Sequence, residues 1–232
     1  MKLLSTLAPT VAPAFLIVAA ALLAPRGTPA QTTAALQTPQ ALAAAAQEAG
    51  SAKTWAYALT MDGYIIPNAT SYASPTVTAD RDWLHLEARY NSEDLRTGSL
   101  WLGYNFSAGK KLVLNVTPML GGVFGRTTGI APGCEASLTY KQFALSISNE
   151  YVFDTSHESG SFYYSWPQAT YSPLEWLHVG VVAERTKAFH TKLGTQRGVF
   201  GGVSYKRVHF TTNVFNFGFT KPTLVLEVGY SR

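Results

Sequence analysis

Ionisable side chains recur at every second position of WLHLEARYN, residues 83–91. His85, Glu87 and Arg89 alternate there with apolar residues such as Leu86. Because successive side chains leave a β-strand on opposite faces, this spacing predicts a strand with the three ionisable groups side by side on one face. Groups placed in this way can brace one another as ion pairs, or can select a passing solute by its charge.

Later segments with the same alternation carry further ionisable residues on the corresponding polar face. These are Glu135, Glu150, His178, Glu184, His209 and Glu227. Together with His85, Glu87 and Arg89 they are the candidate site residues, either as a selective constriction or as a structural pairing network, and both interpretations stay open. The histidines lie on separate strand-like segments without the spacing of metal ligands, so the sequence predicts no metal site and no cofactor.

The first 30 residues have the layout of a secretory signal peptide. Lys2 precedes an apolar stretch at 11–24, which is shorter than the roughly 20 residues of a membrane-spanning helix, and small residues at 28–30 suit cleavage. Residues 31–53 are rich in Ala and Gln and contain no aromatic residue. We expect a linker there; a periplasmic interaction segment or a plug for a lumen is the alternative.

The composition narrows the class of the remaining chain. Charged residues make up 14% of the sequence, against roughly 25% in soluble globular proteins. Apart from Phe15, every aromatic residue lies at or after Trp55, which suits a chain that crosses apolar–polar boundaries. The net charge of +4 is not clustered and does not predict a nucleic-acid partner. The single cysteine, Cys134, allows no intramolecular disulfide.

From Thr54 onward, strand-like segments are joined alternately by short turns and by longer polar connections. The short turns are expected at 80–82, 107–110, 141–142, 172–174 and 206–207. The alternation predicts twelve strands near 55–66, 71–80, 82–91, 97–106, 110–124, 132–141, 142–153, 160–171, 174–186, 196–206, 207–217 and 221–231. An even strand number with short turns on one side is typical of transmembrane barrels. We therefore predict an all-β fold over 54–232, an antiparallel transmembrane β-barrel with short periplasmic turns and longer outer loops.

The two faces of these strands predict which side meets lipid. The polar face is mostly small and hydroxylic, whereas a solvent-bathed sheet would carry more charge. The apolar face is aromatic near the short turns, as at Trp83, Tyr140, Phe143 and Tyr205, in the manner of an interfacial girdle. This pattern favours lipid outside and a polar lumen inside. A soluble lipocalin-like barrel with an apolar interior is the alternative.

Three segments resemble a set of uncharacterised, porin-like bacterial outer-membrane β-barrel proteins. They are TADRDWLHLEARYNSEDLRTGSLWLGYNFS, TPMLGGVFGRTTGIAPG and TQRGVFGGVSYK, and the resemblance covers most of residues 54–232. It implies the barrel fold and a bacterial outer-membrane location, but no activity. The chain departs from the usual pattern of such barrels because Ser231-Arg232 follows Tyr230, where an aromatic residue commonly ends the chain.

The expected function is a narrow, porin-like pore for small hydrophilic solutes, because twelve strands lie between the filled eight-stranded barrel and the open 16–18-stranded channel. Outer-membrane lipid is the expected partner, and the class implies a barrel-assembly machinery. A pore-less structural or adhesion barrel is the first alternative. The second is a lipid-modifying hydrolase, for which the segment HESG at 157–160 offers His157 and Ser159 at a spacing seen in outer-membrane lipases. That segment reads as a polar loop, so no catalytic residue is predicted.

Overall fold

A computed structural model describes residues 54–67, 69–156, 160–188, 194–218 and 222–232. The expected signal peptide, the expected linker and the two residues of HESG that could act in catalysis, His157 and Ser159, lie outside these ranges. The described part is almost wholly strand: β1 (Ala56–Ile65), β2 (Tyr72–Arg81), β3 (Leu84–Tyr90), β4 (Thr97–Tyr104), β5 (Phe106–Gly109), β6 (Leu112–Gly125), β7 (Gly129–Tyr140), β8 (Phe143–Asp154), β9 (Phe162–Leu174), β10 (Leu177–Ala188), β11 (Gly194–Tyr205), β12 (Val208–Phe215) and β13 (Thr223–Ser231).

Strands that follow one another in the chain pair antiparallel, except β4 and β5, and the sheet closes on itself. β13 pairs with β1, while β4 and β5 both pair with β6. β4 and β5 are two halves of one pass, separated at Asn105. The described strands therefore form a closed barrel of twelve passes, which confirms the predicted fold class and strand number. No helix among the described residues is long and apolar enough to cross a membrane.

Pro118 explains the interruption between β4 and β5. Asn105 N–H donates to Trp83 O (2.7 Å), so the backbone of Asn105 is directed toward β3. Alternate residues of an antiparallel strand face opposite neighbours, and Tyr104 is therefore directed toward β6. The residue of β6 opposite Tyr104 is Pro118. Because Pro118 has no N–H to donate, the pairing between this pass and β6 is interrupted there.

The connections differ at the two ends of the barrel. At one end, called the turn end, two-residue turns join successive passes at 82–83, 110–111, 141–142, 175–176 and 206–207. Longer connections lie at the other end, called the loop end. The turns at Asp82, Lys141 and Lys206 begin with a residue of positive φ (52–56°). The prediction of a turn at 172–174 is wrong, because β9 continues through these residues. Pro173 is tolerated within the strand because it lies beside a register shift, where an N–H is not needed for the ladder.

The outer surface of the barrel is apolar and the inner surface is polar, as the alternation predicts. Leu100, Leu102 and Leu145 point outward with 57–60% of their surface exposed, whereas Ser99 and Trp101, which alternate with the first two along β4, are buried. Aromatic side chains cluster outward at the turn end, where Trp83 stacks on Tyr104 and Phe143 stacks on Tyr171. An apolar band edged by aromatic residues is the surface that a membrane-spanning barrel presents to lipid.

The lipid-facing band is tested by one charge placed at two depths. Leu102 lies near the middle of its pass and Leu112 directly after a two-residue turn, and both point outward. Leu102→Arg should reduce the free energy of unfolding by about 2–4 kcal/mol, and Leu112→Arg by about 0–1 kcal/mol, because the cost of a charge falls toward the interface. Urea unfolding in lipid vesicles measures both values. Equal costs at the two depths would contradict a lipid-facing band.

Candidate functional site

One guanidinium group lies at the centre of the inner surface. Arg89 Nε and Nη2 donate to the two carboxylate oxygens of Glu87, at 2.6 and 3.1 Å. Arg89 Nη1 donates to Glu150 Oε2 at 2.8 Å. The planar fork of a guanidinium binds one carboxylate through two N–H groups and leaves further N–H groups for a second carboxylate. Oxygens of Glu93 and Glu135 lie within 3.8 Å of the same group.

The bond between Arg89 and Glu150 crosses the lumen. Arg89 belongs to β3 and Glu150 to β8, and β4, β6 and β7 separate these strands in the sheet. The side chain therefore spans a chord of the barrel instead of following the wall. This bridge divides the lumen into a narrow compartment against β4, β6 and β7 and a wide compartment against the remaining strands.

His85 extends this group of charges toward the turn end. Its Nδ1 lies 2.8 Å from Asp80 Oδ1, and its Nε2 lies 3.2 Å from Glu87 Oε2. We call the connected residues the Arg89 cluster: Asp80, His85, Glu87, Arg89, Glu93, Glu135 and Glu150. Every member except Glu135 has a side chain at most 10% exposed. Charges buried to this extent are stable only when they are paired and hydrogen-bonded.

Apolar side chains pack in the part of the narrow compartment nearer the loop end, whereas Asn115, Thr117 and Ser137 line its wall nearer the turn end. In the loop-end part, Trp101 packs with Met119, Val123, Ala131 and Val152. The Arg89 guanidinium lies over the indole ring, 4.5 Å from its centroid, in cation–π geometry. The other side of the ring rests on the backbone of β6, where a Cβ at Gly121 would approach the indole to 2.6 Å.

The histidines of the opposite wall form a second polar group in the wide compartment. His178 Nε2 lies 3.1 Å from Thr211 Oγ1, and His209 Nε2–H donates to Glu227 Oε1 at 2.9 Å. The imidazole of His209 occupies the space beside Gly229, where a Cβ would come within 1.8 Å of the ring. A glycine on the adjacent strand therefore lets the ring lie flat against the wall.

The structure thus separates the predicted site residues into groups. His85, Glu87, Arg89, Glu135 and Glu150 meet in the Arg89 cluster. His178, His209 and Glu227 lie across the lumen on β10, β12 and β13, and Glu184 lies apart from both groups, beside the amide of Gln196 (3.4 Å). No cluster of three or more metal-ligating side chains occurs among the described residues.

Three carboxylates that point into the lumen are not among the site residues predicted from the sequence. Asp80 was assigned to a turn, but β2 continues to Arg81 and places this side chain on the inner face. Asp62 shares its parity with the buried Thr60 of β1, a signal that the sequence offered. Glu93 belongs to the connection after β3 and folds back to accept a hydrogen bond from Ser99 Oγ (2.7 Å). Periodicity cannot reveal a loop residue of this kind.

Comparison with known proteins yields similarity at the level of structure. The sequence matches no protein-family model and no curated protein. The solved structure described as KdgM porin aligns with a TM-score of 0.52 at 11% identity, over 75% of this chain and 98% of that chain. Pseudomonas aeruginosa OccK5 (OpdH) aligns with a TM-score of 0.42 at 10% identity, over 73% of this chain and 62% of that chain. At these identities the likeness to the KdgM porin establishes the barrel fold alone.

The bridge across the lumen predicts a large effect of removing one charge. Arg89→Met leaves the buried carboxylate of Glu150 without its donor and that of Glu87 with His85 alone, and we expect a loss of about 3–5 kcal/mol in the free energy of unfolding. The double variant Arg89→Met/Glu150→Gln should recover part of that loss, because one uncompensated charge is gone. Urea unfolding in vesicles measures both. A single variant as stable as the parent protein would contradict a buried bridge.

The support beneath Trp101 is tested by two adjacent glycines. Gly121→Ala places a methyl group against the indole and should cost about 1–3 kcal/mol through overpacking. Gly122→Ala is the matched control, since a Cβ at Gly122 meets nothing within 4 Å. Both are compared by urea unfolding in vesicles. If the two variants lose the same stability, Trp101 does not rest on β6 as described.

Proposed function

We propose that the chain forms a narrow pore for small hydrophilic solutes across the bacterial outer membrane, with the turn end facing the periplasm. The observation that carries this proposal is the largely polar inner surface of a closed barrel whose outer surface is apolar. A barrel that served only as an anchor could fill its whole interior with apolar side chains, as the loop-end part of the narrow compartment is filled. The wide compartment instead presents hydroxyl, amide, imidazole and carboxylate groups: Thr60, Asp62, Ser74, Thr78, His178, Thr211, Asn213 and Glu227.

A pore-less structural barrel is the second candidate, and one observation favours it. Phe200, Phe215 and Val225 form an apolar cluster toward the loop end, with Trp166 and Tyr64 packed against it. Trp166 and Phe215 meet edge to face across β10 and β11, with ring centroids 5.1 Å apart. This contact narrows the wide compartment. The passage of the proposed pore is therefore confined to the lane between this aromatic contact and the Arg89 bridge.

The proposal gives the chain no catalytic step. A lipid-modifying hydrolase would release fatty acid from phospholipid or lipopolysaccharide mixed with the refolded protein, and we expect no release above that of a denatured sample. The same preparation is then used for the conductance measurement below, so that a correctly folded barrel is tested for both activities.

Conductance across a planar lipid bilayer tests the pore directly. Refolded protein should produce discrete current steps. Thr76→Trp, on the inner face beside the Arg89 cluster, should lower the step size, whereas Val77→Trp, its outward neighbour, should leave it unchanged. A folded protein that produces no current steps would refute the pore and favour the structural barrel. Equal effects of the two variants would show that current does not follow the wide compartment.

A further inference from the structure

We infer that the proposed pore admits cations in preference to anions; this inference rests on the proposed function and names its solute class. The inner surface of the described residues is rich in carboxylates: Asp62, Asp80, Glu87, Glu93, Glu135, Glu150, Glu184 and Glu227. Among the inward side chains that the structure describes on the strands, Arg89 alone is a guanidinium or ammonium group. Cations are attracted, and anions repelled, by such a lining.

Arg89 does not offset the excess of inward carboxylates, because its positive charge is already paired with the carboxylates around it. Its hydrogen bonds are taken by Glu87 and Glu150, and Glu93 and Glu135 stand within 3.8 Å without reaching hydrogen-bond distance. Even with both Arg89 and His85 carrying a positive charge, the Arg89 cluster holds more carboxylates than cations. A passing anion would therefore meet a net negative field beside the bridge.

A second pair of carboxylates lies on the wide side. Asp62 and Glu227 are direct register partners on β1 and β13, so their side chains leave the same face of adjacent strands. Like charges placed directly opposite one another destabilise a strand pair unless something positive lies between or beside them. His209 contacts Glu227 from the next strand, and a cation in the passage can lie against the two carboxyl groups.

Among the described residues, three of the buried polar atoms without a hydrogen-bond partner provide independent support, whereas the others are hydroxyl oxygens and imidazole nitrogens that can serve a solute of either sign. Glu93 Oε2, Gln168 Oε1 and Asn213 Oδ1 have no hydrogen-bond partner, and each of these side chains belongs to a residue at most 8% exposed. These atoms can only accept hydrogen bonds or coordinate positive charge. Water or a cation satisfies them, whereas an anion does not. The orphaned oxygens and the excess of carboxylates therefore favour the same sign of solute.

Reversal potentials in a KCl gradient across a planar bilayer test the inference. We expect K⁺ to permeate about tenfold faster than Cl⁻ through the parent protein, the lower end of the enrichment that a charged cleft produces. Glu135→Gln should reduce this ratio severalfold, because Glu135 borders the bridge and its side chain is 30% exposed. Glu175→Gln, in an exposed two-residue turn, is the matched control and should leave the ratio unchanged.

The outcomes separate the two proposals. A conducting protein with a ratio near one, or with a preference for Cl⁻, overturns the cation inference and leaves the pore intact. A folded protein without conductance overturns the pore itself and the inference with it. If Glu135→Gln fails to refold, Asp62→Asn on the opposite wall takes its place, and an unchanged ratio in that variant overturns the role assigned to the lining carboxylates.

Discussion

A guanidinium buried inside a membrane barrel must be paired with carboxylates inside the barrel. The arrangement of the lumen depends on that pairing. Arg89 reaches from β3 to Glu150 on β8, while it also grips Glu87 on its own strand. Because the bridge is anchored at both ends, it fixes how far apart two non-adjacent walls of the barrel stand. The indole of Trp101 packs against the guanidinium of the bridge, and Gly121 leaves room for the indole.

The same bridge separates a packed, partly apolar compartment from a polar-lined compartment, and a twelve-pass barrel is wide enough to hold both. Against β4, β6 and β7 the part of the space nearer the loop end is filled with apolar side chains, as in smaller barrels. Against the remaining strands the wall is mostly polar, apart from the apolar cluster of Phe200, Phe215 and Val225. The barrel thus behaves as a filled barrel on one side and a lined passage on the other. Solute class is set by the charges that border the passage, including Glu135 beside the bridge.

The alternation of residue types was enough to predict the strand number, the sense of the two faces and most of the short turns. The reason is physical: a barrel in lipid has one surface that must be apolar, so every strand repeats the same period of two. The meeting of Arg89 with Glu150 could not be predicted, because it depends on the closure of the barrel across intervening strands. The fold-back of Glu93 and the break at Asn105 depend on a loop and on a proline in the neighbouring strand, and neither leaves a periodic trace.

The partition of the lumen by the Arg89 bridge is tested most directly by the accessibility of single cysteines. In a Cys134→Ser background, Thr76→Cys places a thiol in the wide compartment and Ala131→Cys places one in the narrow compartment, where Ala131 is fully buried. A charged, membrane-impermeant thiol reagent should label the first rapidly and the second hardly at all in folded protein. Both thiols should react at similar rates after unfolding in urea. Rapid labelling at position 131 in the folded barrel, with a protected thiol at position 76, would contradict the partition.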